Sequence, residues 1–130
     1  MSNKIKIKLA VILPVLAVSI FTSCYRDATV PQVAPEVTKD ISFSGDVLPI
    51  FSSNCISCHK SGGQAPDLTS ANAYSVLTAG TLLNLSAPSS SVLYLRMAGL
   101  GGSAVMPPSG ANAGNAATVL AWIKQGAKNN

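Results

Sequence analysis

The chain has 130 residues, 48% of them hydrophobic and 11% charged, with a formal net charge of +4. That length allows one small domain and a tail, which excludes a multidomain enzyme within this sequence. Lys4, Lys6 and Lys8 crowd the start, and the other six basic residues face five acids. The remainder is therefore near neutral and lacks the basic surface that nucleic acid requires.

In chain order, residues 1–23 read as a lipoprotein-type signal peptide. The basic start precedes an uncharged apolar run of 13 residues from Leu9 to Phe21. A bilayer span needs about 20 residues, and Pro14 interrupts this one, so a short h-region fits better than an uncleaved membrane anchor. Phe21-Thr22-Ser23-Cys24 resembles a lipobox, in which a small residue precedes a cysteine that becomes the lipidated N-terminus. Phe21 stands where leucine is usual. Cleavage after Ala17-Val18-Ser19 is the rival, and would leave Cys24 a spare thiol. The expected location is the cell envelope, lipid-anchored to a membrane and facing the periplasm. Residues 24–41, with Pro31 and Pro35 and no apolar period, read as a flexible tether. The alternative is a segment that wraps the domain through Val30 and Val33.

The domain is expected over residues 42–130, all-α. A first helix is predicted with Ser44 as N-cap and Asp46 in its first turn. Val47, Phe51, Cys55 and Cys58 follow at helical spacing. A second helix is predicted over residues 70–79, ending at Gly80. A third covers residues 90–98, with Gly99 after it. The last is capped by Asn115, carries Val119, Leu120, Trp122 and Ile123 on its apolar face, and ends near Lys124 and Gly126. No stretch alternates like a strand. Residues 60–69 and 99–114 are predicted as irregular loops, and long loops in small domains tend to be functional.

Cys55-Ile56-Ser57-Cys58-His59 is the attachment signal for a c-type haem. On a helical turn, positions i, i+3 and i+4 share a face, so both sulfurs and the imidazole point the same way. His59 is the single histidine, which makes it the proximal ligand if iron is bound here. Three competing readings are weaker. A thioredoxin-like pair wants a βαβ context. Zinc wants four ligands, and only Cys24 is left to add. A Cys55–Cys58 disulfide leaves His59 unexplained. A core this small is marginal by itself, and one covalent haem c supplies the apolar plate that short helices lack.

These pieces resemble a class I cytochrome c of the short kind found in bacterial lipoproteins. The resemblance covers roughly residues 46–127. It rests on Phe51 four residues before the first haem cysteine, the Cys55–His59 motif, Ala65-Pro66-Asp67-Leu68, Met106-Pro107-Pro108, and a last helix holding Trp122. The attachment motif is strongly specific and the others are weak alone. The resemblance implies that Pro66 presents its carbonyl to the ring N–H of His59. It also implies that Leu68 packs on the proximal haem face, and that Phe51 meets Trp122 where the first and last helices cross. Val47 stands where the family often has glycine, which implies a looser crossing.

With no second histidine, the candidates for the sixth position are Met106 and Met97, and an open or differently ligated iron is the remaining alternative. Met106 precedes two prolines that stiffen its loop. Met97 sits in a predicted helix, where its ordinary role is core packing. Met106 is therefore the expected ligand. Open-site cytochromes of the c′ type carry the motif near the C-terminus, whereas over half of this chain follows it. Asp46 and Asp67 are isolated, so no catalytic residues are assigned. The expected role is a membrane-tethered electron carrier between redox protein partners. The alternative is a haem domain acting as a small-ligand sensor or as a fixed subunit of a larger redox enzyme, with a displaceable Met106.

Overall fold

The computed structural model describes residues 36–130. The signal segment and Cys24 lie outside them. The described residues form four α-helices and no strand: α1 Leu48–Asn54, α2 Ala73–Ala79, α3 Val92–Ala98 and α4 Ala113–Lys124. The all-α class therefore holds for this region. None of these helices is long and apolar enough to cross a membrane.

The first helix begins differently from its expected form. A π-helical turn, Phe43–Val47, precedes α1, and its cap is Ser42 rather than Ser44. The Ser42 hydroxyl accepts from Gly45 N–H at 3.2 Å, and the Asp46 carboxylate accepts from Ser42 N–H at 2.9 Å. Two orphan donors are thus satisfied reciprocally. The wide turn has a physical cause in Pro49. This residue has no N–H to give, and its ring would press on the carbonyl four residues back in a regular helix.

α4 organises the core. Asn112, three residues before the expected Asn115, caps it by accepting from the N–H of Asn115 at 2.9 Å. Val119, Trp122 and Ile123 are buried with Val47, Phe51, Leu77, Leu93 and Met97 in one apolar cluster. α4 packs against α3 and against the π-helical turn. The ring that pairs with Trp122 at this crossing is Phe43, with centroids 5.1 Å apart, and Phe43 also meets Tyr74 edge-on at 5.2 Å. Phe51, the expected partner, is fully buried in the same cluster. The π-helical turn carries Phe43 into the place where the resemblance put Phe51. Burying side chains of this size contributes roughly 1.5–3 kcal/mol each.

The polar ends of these aromatics are satisfied. Trp122 Nε1–H donates to Lys128 O at 2.9 Å, and the Tyr74 hydroxyl donates to Ala127 O at 3.2 Å. Residues assigned to the tether also reach the domain. Ile41 is buried, its N–H donates to Gln125 Oε1 at 2.8 Å, and Gln125 Nε2–H donates to Lys39 O at 3.0 Å.

α3 starts at Val92, after the short 3₁₀ turn Pro88–Ser90. Buried Ser91 accepts from Asn84 N–H at 2.9 Å, and Leu93 N–H donates to Leu82 O at 3.1 Å. Those two bonds pin the connection from α2. Gly99 ends α3 in the left-handed region at φ 68°. Leu100 N–H then closes back to Leu95 O at 2.8 Å, the bonding that a left-handed glycine allows.

Candidate functional site

α1 stops at Asn54, so the motif does not continue the helix. Cys55 leaves helical geometry at φ −123° while its N–H still donates to Phe51 O at 2.8 Å. Its carbonyl then accepts two bonds, from Cys58 N–H at 3.1 Å and His59 N–H at 2.8 Å. Cys55, Cys58 and His59 therefore share one closed turn. Burial pushes the Cys55 thiol above its ordinary value, and Cys58 is exposed. Both are free thiols. A thioredoxin-like pair needs a lowered thiol, the opposite of what burial does to Cys55.

The segment after the motif folds back on it. Gly63 N–H donates to Lys60 O at 2.8 Å and Gln64 N–H to Cys58 O at 2.9 Å. Gly63 passes so close that a Cβ there would lie 2.4 Å from Cys58 O. The return ends on the histidine. Leu68 N–H donates to His59 O at 2.9 Å, and His59 Nδ1 lies 3.2 Å from Pro66 O. A carbonyl only accepts, so this bond requires a proton on Nδ1, which in the neutral ring leaves the Nε2 lone pair free. That is the tautomer a metal-binding imidazole needs. Leu68 is buried in the core, at 5% exposure.

Asp67 stands between these contacts. Its Oδ1 accepts from Thr69 N–H at 3.0 Å and from the Thr69 hydroxyl at 2.6 Å, and its Oδ2 accepts from Asn72 Nδ2–H at 2.9 Å. The Thr69 hydroxyl above all, then the Thr69 N–H and the Asn72 amide, hold its carboxyl below the ordinary aspartate value.

The two methionines sit in different surroundings. Met97 is buried on α3, at 7% exposure. Met106 is half-buried in the irregular segment after α3, where its N–H donates to Arg96 O at 2.9 Å. Among the described residues, no three His, Cys, Asp or Glu side chains gather as a metal site; Cys24, the further ligand a zinc reading would draw on, lies outside them.

The structure thus brings together Cys55, Cys58, His59, Pro66 and Leu68, and ties Met106 separately to α3. Gly63, Gln64 and the bonding of Asp67 were not expected from sequence. The Asp-x-Thr spacing at Asp67 and Thr69 is the one local signal that could have revealed the last. No protein-family model, curated protein or solved structure matches this chain.

Proposed function

We propose that this chain is an exported, membrane-tethered monohaem cytochrome c that passes single electrons between redox protein partners. The observation that carries the reading is the 3.2 Å bond from His59 Nδ1–H to Pro66 O, formed beside two free cysteines on the same turn. With Nδ1–H so engaged, the neutral ring of the one histidine in the chain offers Nε2, the atom that an axial ligand to haem iron would use.

The residues present fit that group. Cys55 and Cys58 would hold it through thioethers, and His59 would bind the iron. Pro66 would fix the ring and make it a stronger donor. Cys55 is partly buried and packs against the apolar core, so the attachment point adjoins apolar side chains. Met106 would close the sixth position, since Met97 is occupied by core packing. Haem held by histidine and methionine supplies a reversible one-electron couple with a raised potential. Filling both axial positions leaves the chain to tune and to dock. Lipid on Cys24 would keep the domain at the membrane.

Redox titration with CO challenge tests this. The protein should titrate as one reversible one-electron centre, and its reduced Soret band should stay unchanged under CO. Rapid formation of a CO adduct would transfer support to the small-ligand sensor.

A further inference from the structure

We propose that Asp67 is a positioning residue for His59, holding the Pro66 carbonyl against the imidazole from a distance. This rests on the haem-ligand reading of His59. The backbone on either side of Asp67 is bonded to His59, through Pro66 O at 3.2 Å and Leu68 N–H at 2.9 Å. The Asp67 side chain is bonded away from it, to Thr69 twice and to Asn72 once. The three-residue stretch is thus clamped between the motif and the start of α2.

The clamp has a fixed far end. Thr69 O accepts from Asn72 N–H at 3.0 Å and from Ala73 N–H at 2.8 Å, and Ala73 and Leu77 of α2 are fully buried in the core. Asp67 therefore couples the carbonyl to a packed helix. No other side-chain hydrogen bond reaches residues 66–68 among the described residues. Without the carboxylate, residues 66–68 keep the Leu68 N–H bond to His59 O and the burial of Leu68. Pro66 O then has no side-chain tie beyond its bond to the ring, which at 3.2 Å is at the long end of the useful range. A carboxylate gives charge-assisted bonds, stronger than a neutral acceptor gives. Asp67 touches neither iron nor porphyrin in this account, and acts only through Pro66.

The test compares Asp67→Ala, Asp67→Asn and Thr69→Val with Asp46→Ala, which breaks the domain's other carboxylate bonding. Loss of the clamp weakens the ring's donation to iron. In the haem-loaded protein, Asp67→Ala should raise the reduction potential and speed exchange of the His59 Nδ1 proton at least tenfold. Thr69→Val, and Asp67→Asn, which keeps one acceptor for Thr69 but neither the charge nor the acceptor for Asn72, should fall between. Asp46→Ala should lower stability and leave both readouts in place. If Asp67→Ala changes stability alone, with potential and exchange as in wild type, Asp67 is merely structural and the proposal is overturned. Should Asp67→Ala not fold, unchanged potential and exchange in Thr69→Val overturn it equally.

A chain that purifies without haem refutes the function but still reads the clamp. At pH 8, long-range ¹H–¹⁵N spectra should then show His59 with its proton on Nδ1 in wild type. The proton should shift toward Nε2 in Asp67→Ala. The same tautomer in both overturns the proposal.

Discussion

Gly63→Ala tests the return path that brings Pro66 to His59. The glycine's φ lies outside the left-handed region, so the demand is for space alone. The added methyl would sit 2.4 Å from Cys58 O and 3.1 Å from Lys60 O. That is about 1 Å short of ordinary contact with the first, and a carbonyl cannot rotate aside as a flexible side chain does. Both ends are bonded, Gln64 N–H to Cys58 O and Gly63 N–H to Lys60 O, so the shift breaks at least one of them. A lost hydrogen bond costs about 0.5–1.5 kcal/mol, and overpacking adds roughly 1–3 kcal/mol. The expected loss is about 1.5–4.5 kcal/mol, read by urea unfolding of matched haem-loaded proteins. Haem incorporation should fall as well, because the histidine loses its partner. A loss under about 0.5 kcal/mol, at the scale of a neutral surface change, would refute the close-approach argument.

Three further outcomes follow from particular contacts. Met106→Ala should abolish the far-red thioether-to-iron band of the oxidised protein. Met97→Ala should keep that band and destabilise by about 2–5 kcal/mol through a core cavity; the reverse pattern would make Met97 the ligand. Asn112→Ala removes the side-chain cap of α4 and should cost about 1 kcal/mol by thermal or urea unfolding; no change would mean that the cap is replaced by water. Acid should weaken the domain in a defined window. The Lys39 ammonium, then Ser42 N–H, hold the Asp46 carboxyl below its ordinary value, as Thr69 and Asn72 hold Asp67. The unfolded chain takes up these protons first, near pH 4. Their stabilisation is therefore present above about pH 4 and is lost as pH falls through the lower folded values. Stability unchanged from pH 5 to 2 would contradict the sign.

How much was legible in the sequence depends on how local each signal is. The motif announced itself because its spacing is a one-turn property, and its turn does form around Cys55 O. α4 was readable because its apolar period is long. Its cap was misplaced because Asn112 and Asn115 are both eligible, and the second proved to be the donor rather than the acceptor. Ser42 displaced Ser44 because Pro49 forces a wide turn upstream of itself, shifting the start by two residues. The pairing of Phe51 with Trp122 rests on the resemblance alone. The same wide turn brings Phe43 to that ring instead. Gly63 gave no signal, since closeness to Cys58 O is made by a loop whose path no periodicity encodes. The tie of Met106 to Arg96 is likewise a tertiary fact.

Covalent haem on Cys55 and Cys58 is the claim on which the rest stands. Intact-mass measurement decides it on protein purified from cells that mature c-type cytochromes, alongside Cys55→Ser/Cys58→Ser. Wild type should carry the mass of one haem that survives denaturation and acid-acetone extraction, and the double variant should carry none. A colourless wild type at the mass of its polypeptide would contradict the account.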